Sequence, residues 1–300
     1  MGAWKAVAAT LAACGGVAAA AVSGALLLGD QKLARRVDVR VVPVPFTRDA
    51  AAVKRGQHLY ESRGCAECHG PDGAGRVLVN DPDGFYVRAP NLTRGAGSAV
   101  IDYTEADWVR AIRHGVDPSG RALMVMPSED YNRLTDADLA ALVAYMRSLP
   151  VKDGARGLVR LSTYYKALYG LGLMLDAAQK VDHRKPPPAP TAPSPNADYG
   201  AYLAAMCVGC HGEGLAGGHI RGGMPGWPPA ANLTPGDGSG MAAYESFDAF
   251  AAMMRTGHRP DGTSVSTVMP FASLRYLDDV ELHALHAYLL ALPPRPFGSH

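Results

Sequence analysis

The chain contains the same pattern twice. CAECHG begins at Cys65 and CVGCHG begins at Cys207. Further landmarks recur in the same order at offsets of 141 to 143 residues: Asn91 and Asn232, which each open Asn-Leu-Thr; Gly115 and Gly257; Gly120 and Gly262; Met126 and Met269, each followed by proline; and Tyr145 and Tyr288. A fixed order at nearly one offset indicates a duplicated domain of about one hundred residues.

Each copy is predicted to be mostly helical. Helical patterns cover about 51–62, 104–115 and 135–150 in the first copy, and 197–206, 246–257 and 278–293 in the second. Glycine or proline ends several of these runs, and the segments between them are rich in Gly, Pro, Asp and Asn, which is typical of loops. Few residues alternate with period two, so strands are not expected.

Composition excludes some classes of protein. The formal net charge is only +1, and the two segments that hold the paired cysteines are acidic, so no nucleic-acid partner is expected. Four of the five cysteines lie in the two C-x-x-C-H motifs. Only Cys14 remains, so no disulfide framework is available.

The two C-x-x-C-H motifs predict covalently attached haem. Positions i, i+3 and i+4 share one face of a helical turn, so both thiols and the imidazole can meet one flat ligand. The predicted attachment residues are Cys65, Cys68 and His69 in the first copy and Cys207, Cys210 and His211 in the second. A redox pair needs no following histidine, and zinc needs four ligands. Two motifs in register therefore favour two haem c groups.

The repeated Met-Pro pairs predict the second axial ligand of each iron. Met126 lies 57 residues after His69, and Met269 lies 58 after His211. An isolated methionine is usually core filler, but recurrence at a matching distance beside proline favours ligation. Met124 is a rival in the first copy, although its counterpart is Thr267, which cannot supply a thioether. His114 and His258 are weaker rivals.

Other matched residues have two interpretations each. Asn91 and Asn232 help seat haem or form Asx-turns. Arg113 and Arg255 pair with haem propionates or stabilise helix ends. Gly56 and Gly200 are expected to let the last helix of each copy approach closely, near Tyr145 and Tyr288.

The N-terminal segment is apolar from Ala6 to Gly29. Its length fits an uncleaved membrane anchor. A cleaved export signal and a lipidated Cys14 are alternatives. Farther along, residues 158–179 are predicted to form one apolar helix that packs on a domain or docks to a membrane or partner. Residues 186–195 are predicted to be a stiff proline-rich linker.

The residues resemble class I c-type cytochromes, in particular the cytochrome c subunit of membrane-bound alcohol, aldehyde and gluconate dehydrogenases. The second copy carries most of the resemblance, through Tyr199-Gly200-Ala201-Tyr202-Leu203, the C-x-x-C-H motif, Asn232-Leu233-Thr234-Pro235-Gly236, Arg255-Thr256-Gly257 and Met269-Pro270-Phe271. Those subunits carry three haem domains, whereas this chain has two. The resemblance implies haem attachment outside the cytoplasmic membrane.

The predicted fold class is all-α, with two tandem cytochrome c domains. The domains are placed at 50–150 and 196–300, joined by an apolar helix and linker at 151–195. An N-terminal transmembrane helix or signal is placed at 1–30.

The predicted function is single-electron transfer in a respiratory chain rather than catalysis. Electrons are expected to pass from a dehydrogenase to quinone or a terminal oxidase, at the cytoplasmic membrane, with the haem domains facing the periplasm. Histidine and methionine on each iron leave no position open for peroxide, which argues against the alternative of a dihaem peroxidase. A cytochrome subunit of a terminal oxidase is a second alternative.

Overall fold

The computed structural model describes residues 2–221, 223, 226–236 and 238–299, so the end residues of the predicted domain ranges, Met1 and His300, lie outside it. Its α-helices are: α1 Gly2–Ala34, α2 Ala50–Ser62, α3 Cys65–His69, α4 Glu105–His114, α5 Ser128–Tyr131, α6 Asp136–Ser148, α7 Thr163–Gly170, α8 Ala197–Ala204, α9 Val208–His211, α10 Phe247–Thr256, α11 Phe271–Leu274 and α12 Asp279–Ala291. Its strands are: β1 Val77–Asn80, β2 Tyr86–Arg88 and β3 Leu158–Arg160.

The first and last helices of each copy cross at a glycine. A Cβ at Gly56 of α2 would lie 1.9 Å from the carbonyl oxygen of Ala141 in α6. A Cβ at Gly200 of α8 would lie 2.0 Å from the carbonyl oxygen of Ala284 in α12. Both distances are far below van der Waals contact, so only glycine permits these crossings. The predicted close approach of these helices is confirmed.

The helix boundaries follow local capping chemistry. The side chain of Thr104 accepts a hydrogen bond from the backbone of Asp107 in a capping box that starts α4. The helices α4 and α10 both end at a glycine with left-handed backbone, at Gly115 (φ 62°) and Gly257 (φ 74°). Because such signals are local, the sequence predicts these boundaries well.

The linking segment differs from its prediction. Instead of one helix over residues 158–179, the chain forms β3, then α7, then a short 3-10 turn at Ala177–Lys180. The strand β3 pairs antiparallel with β2, with Val159 opposite Val87, and β2 pairs with β1. The expectation of no strands is therefore wrong at this sheet. The cause is non-local: β3 finds its partner about seventy residues earlier, and the left-handed Gly172 (φ 77°) prevents α7 from continuing.

The two domains contact each other through equivalent surfaces. Glu67 in the first C-x-x-C-H turn hydrogen-bonds Ser273 of α11 in the second domain. Reciprocally, the backbone N–H of Gly209 in the second C-x-x-C-H turn donates to Asp130 of α5 in the first domain, at 3.2 Å. By the repeat offset, Glu67 corresponds to Gly209 and Asp130 corresponds to Ser273. The domains are thus related by an approximate two-fold axis at this interface.

Candidate haem sites

Each C-x-x-C-H motif lies on a short helical turn that ends at a glycine. The helix α3 is flanked by Gly64 (φ 80°) and Gly70 (φ 79°), and α9 is followed by Gly212 (φ 78°). These left-handed positions let the chain enter or leave the turn abruptly. The two thiols and the imidazole of the first motif consequently line one cavity.

Both motif histidines are oriented by a backbone carbonyl. His69 Nδ1 lies 3.1 Å from the carbonyl oxygen of Pro90, and His211 Nδ1 lies 2.8 Å from that of Ala231. Donation from Nδ1 leaves Nε2 as the unprotonated nitrogen, which is the form that binds a metal. Burial lowers the pKa of both imidazoles, although the carbonyl contact raises it in part. Both rings are therefore held neutral.

Thiolate chemistry is disfavoured at these cysteines. Burial raises the pKa of Cys65 and Cys207 to about 12 and that of Cys210 to about 11. A redox C-x-x-C pair requires a lowered pKa at its attacking thiol, and a zinc site requires thiolates. Neutral, buried thiols instead suit covalent attachment to a flat apolar ligand.

A cavity of about 650 Å³ in the first domain brings the predicted residues together. Cys65, Cys68 and His69 line it, as do Met126 and the rival Met124. Its size falls within the range of cofactor pockets. Two thiols, an imidazole with a free nitrogen and a thioether form the donor set that haem c requires, so the residues present fit this group.

The Met-Pro turns of the two domains have nearly identical backbones. Pro127 has φ −80° and ψ 64°, and Pro270 has φ −81° and ψ 62°. In each turn the N–H two residues after the methionine donates to the methionine carbonyl at 2.9 Å. This geometry is an inverse γ-turn, which proline stabilises. Met126 and Met269 are therefore presented by the same rigid turn, and Met269 packs against the core that holds Cys207.

The two asparagines form Asx-turns. Asn91 accepts from the Thr93 N–H at 2.8 Å and donates to the Lys152 carbonyl at 2.9 Å. Asn232 accepts from the Thr234 N–H at 2.9 Å and donates to the Arg295 carbonyl at 2.8 Å. Each asparagine directly follows the residue whose carbonyl orients the motif histidine. The turns therefore fix the position of that carbonyl.

Arg113 and Arg255 hold helix ends together rather than facing the described cavity. Arg113 is buried, donates to the Leu134 carbonyl at 2.6 Å and pairs with Asp136 at 2.8 Å. Arg255 pairs with Asp279, the counterpart of Asp136. The helix-end interpretation thus accounts for both arginines. Of the weaker ligand rivals, His114 contacts His183 at 3.1 Å, and His258 contacts the Thr256 carbonyl at 2.9 Å.

Sequence reasoning missed three arginines and a sheet at the cavity. Arg88, Arg121 and Arg156 line the cavity, together with apolar residues of β1, β2 and β3. None of these arginines has an arginine at the repeat offset, so the duplication gave no signal. A guanidinium beside the cavity can pair with a carboxylate of the bound group.

Each of the two domains matches a known protein family. Residues 51–146 match the family described as cytochrome C oxidase, cbb3-type, subunit III, and residues 197–293 match the family described as cytochrome c. These two ranges contain all eight predicted attachment and ligand residues.

Relatives share most of this chain's length. The fructose dehydrogenase cytochrome subunit of Gluconobacter japonicus is 28% identical over 84% of this chain and 55% of its own length. The cytochrome c subunit of the alcohol dehydrogenase (quinone) of Gluconacetobacter polyoxogenes is 26% identical over 83% of this chain and 57% of its own length. A dihaem cytochrome c-type protein of Cereibacter sphaeroides is 29% identical over 39% of this chain and 43% of its own length.

The chain spans little more than half the length of the two dehydrogenase subunits. The matched part contains both C-x-x-C-H turns, and each turn has its oriented histidine and its Met-Pro turn. This chain therefore carries two cytochrome c domains with two covalently bound haem c groups, and it is homologous to the cytochrome c subunits of fructose and alcohol dehydrogenases.

Proposed function

We propose that this chain is the dihaem electron-transfer subunit of a membrane dehydrogenase complex. It accepts single electrons from the dehydrogenase and passes them to quinone or a terminal oxidase, with its haem domains on the periplasmic face of the cytoplasmic membrane. The observation that carries the proposal is the matched pair of sites, each with a carbonyl-oriented histidine and a rigid Met-Pro turn. The homology to dehydrogenase cytochrome subunits supports the donor.

Each haem is held by four residues of its own domain. Cys65 and Cys68 attach the first, and Cys207 and Cys210 attach the second. His69 and Met126 would supply the iron ligands in the first domain, and His211 and Met269 would supply them in the second. When bound, the iron supplies a one-electron change of oxidation state. The protein supplies ligands that stay in place through that change, because carbonyls and γ-turns fix them on both sides.

We infer that the interface between the two domains is the route by which an electron would pass from one haem to the other. Each C-x-x-C-H turn contacts the short helix that follows the other domain's Met-Pro turn, through Glu67 with Ser273 and Gly209 with Asp130. Both haem-attachment segments therefore lie at the interface. The remaining cavity between the domains, lined in part by Arg63, Asp130 and Tyr202, has a volume of only about 10 Å³. Close packing at this point favours a fixed relation between the two sites.

A terminal-oxidase subunit is the second candidate. The first domain matches a family described by a cbb3-type oxidase subunit, which favours it. The chemistry within this chain is the same in both cases, and only the assembly differs.

Two measurements test the proposal. The native complex is solubilised from membranes in mild detergent and its chains are identified by mass spectrometry. We expect a dehydrogenase catalytic chain in stoichiometric amount, whereas oxidase core subunits would favour the second candidate.

In the second measurement, the reduced protein is exposed to carbon monoxide. An unchanged spectrum is expected, and rapid binding at either haem in the folded protein would contradict two closed His/Met sites and support a peroxidase.

A further inference from the structure

The helix α1 is longer than a bilayer requires. It has 33 residues, or about 50 Å at 1.5 Å per residue, whereas a hydrocarbon core is about 30 Å thick. Trp4–Ala34 is apolar enough to cross a membrane by length and composition. From Trp4 to Ser23 every residue is exposed, but Ala25 and Gly29 are buried. The last turns of α1 are therefore covered by protein.

The helix α7 covers these last turns at a close crossing. A Cβ at Gly170 would lie 1.9 Å from the carbonyl oxygen of Ala25, and a Cβ at Gly29 would lie 2.7 Å from the carbonyl oxygen of Lys166. Ala25 and Gly29 are four residues apart, which is the small-xxx-small spacing that lets two helices touch backbone to backbone.

Ion pairs and a hydrogen bond stabilise the crossing of α1 and α7. Lys166 pairs with Asp30 at 2.8 Å, and Lys32 donates to the Tyr169 carbonyl at 2.9 Å. Arg35 donates to both oxygens of Asp176 at 2.8 and 2.6 Å. The side chain of Asp176 is fully buried and also accepts from the Tyr169 hydroxyl at 2.5 Å. One nitrogen of Arg35 reaches both oxygens of the buried Asp176, so this pair, together with the Lys166 and Lys32 contacts, joins the end of α1 to the linking segment.

The contacts also give the direction of α7. Lys166 lies level with Gly29 and Asp30, whereas Gly170 lies level with Ala25. The helix α7 therefore runs back toward the exposed apolar part of α1. Leu171 and Leu173, which follow it, are 59% and 68% exposed, and Leu27 and Leu28 of α1 are 64% and 47% exposed. We call these four residues the leucine rim.

The leucine rim continues the apolar surface of α1 up to a boundary of charge. Asp30 and Lys166 pair at the level of Gly29, whereas the Lys32 ammonium extends back to Gly172, where it would lie 3.7 Å from an added Cβ. Charged side chains at the end of an apolar span mark the headgroup level of a bilayer, and lysine can extend its ammonium there. Leu171 and Leu173 belong to no segment that spans a membrane, but the crossing places the end of α7 on the apolar side of the Asp30–Lys166 pair, with the Lys32 ammonium beside Gly172.

We propose that Leu171 and Leu173 insert into the bilayer leaflet beside α1, so that two separate segments hold the first domain against the membrane in one orientation. This inference depends on the membrane anchoring in the proposed function. The partner is lipid, because the exposed leucines are continuous with the apolar surface of the spanning helix.

The test uses the full haem-loaded chain in lipid nanodiscs that contain a phospholipid with a photoactivatable diazirine on its acyl chain. After illumination, tandem mass spectrometry maps the label on three tryptic peptides, 6–32, 167–180 and 148–152. The last contains Val151, which is 68% exposed on the same domain and serves as the matched control. We expect label on α1 and on residues 171–173 and none above background on Val151.

The outcomes separate the two proposals. Label on α1, with residues 171–173 no higher than Val151, would overturn the insertion and leave the anchor intact. Label on neither α1 nor the rim would overturn both. In a second step, a Leu171→Asp/Leu173→Asp chain should lose label on peptide 167–180 while its haem absorption spectrum stays unchanged. A Val151→Asp chain should retain the label.

Discussion

At the scale of single residues, the proposed iron ligands are positioned by groups that are not themselves ligands. The Pro90 and Ala231 carbonyls set the two histidine rings, and the prolines after Met126 and Met269 set the thioethers. Outer contacts of this kind are what hold a ligand in one orientation. The Asx-turns of Asn91 and Asn232 in turn fix the positions of these two carbonyls.

Substitution of the methionines should open one iron at a time. Met126→Ala and Met269→Ala should each allow the reduced protein to bind one carbon monoxide per chain and should lower the potential of that haem, because thioether ligation raises it. Optical titration with carbon monoxide and redox potentiometry would measure both effects.

Met124→Ala is the matched control, because Met124 lines the same cavity. It should leave carbon monoxide binding unchanged. If Met124→Ala rather than Met126→Ala opened the first haem, the ligand assignment from the repeat would be wrong.

At the scale of elements, each domain is organised around one helix crossing. The helices α2 and α6 cross at Gly56, and α8 and α12 cross at Gly200. The buried faces of these helices supply much of the two hydrophobic cores. The first cysteine of the C-x-x-C-H motif follows the crossing glycine by nine residues in the first domain and by seven in the second, so the crossing helix leads directly into the attachment turn.

A methyl group at either crossing should separate the helices. Gly200→Ala should lower the free energy of unfolding by about 3 kcal/mol, because the new Cβ overlaps a backbone carbonyl that cannot move away easily. The neighbouring exposed Ala201→Gly should cost only about 1 kcal/mol through helix propensity. Chemical denaturation followed by circular dichroism would compare them, and equal losses would mean that the crossing tolerates a methyl group.

At the scale of the whole molecule, two equivalent carboxylates join the domains. Glu281 begins α12 and lies 2.7 Å from His58 and 3.3 Å from Arg63 of the first domain. Its counterpart by the repeat, Asp138 in α6, accepts from the Tyr202 hydroxyl of the second domain at 2.6 Å. Arg55 contacts both acids. The domains therefore dock through a buried, reciprocal network of charges.

This network predicts a pH dependence. Burial alone would raise the pKa of Glu281, but the hydrogen bond with His58 and the charges of Arg63 and Arg55 lower it to about 2, against 4.5 ordinarily. A lowered carboxyl pKa stabilises the docked state above about pH 4.5, and that stability is lost as the pH falls toward 2. We expect a loss on the order of 3 kcal/mol over this range.

Glu281→Gln should be destabilised by about 3 kcal/mol at neutral pH, because two arginines lose their partner, and its stability should depend less on pH in this range. Asp279→Asn is the control in the same turn of α12, since Asp279 forms an exposed pair that contributes at most about 1 kcal/mol. Thermal unfolding with small-angle scattering would report stability and docking together. A Glu281→Gln chain as stable as Asp279→Asn would rule out this role.

The linking segment shows where prediction from sequence fails. The apolar run of residues 158–179 fits a helix by composition, yet β3 forms because β2 offers hydrogen bonds at a distant edge. The arginines of the cavity were missed for the same reason, because they reach it through the sheet and loops of one domain only. Tertiary contacts outweigh local preference where that preference is weak.

The sequence by itself determined the two haem-attachment motifs, the duplication and most helix ends. C-x-x-C-H attachment depends on spacing within one turn, and caps and Met-Pro turns depend on neighbouring residues, so these features can be read locally. Only the tertiary structure decided the sheet at the first cavity, the rigid joint between α1 and α7, and the reciprocal contact of the domains. Those features depend on contacts between segments that are distant in the sequence, and no local sequence pattern specifies such contacts.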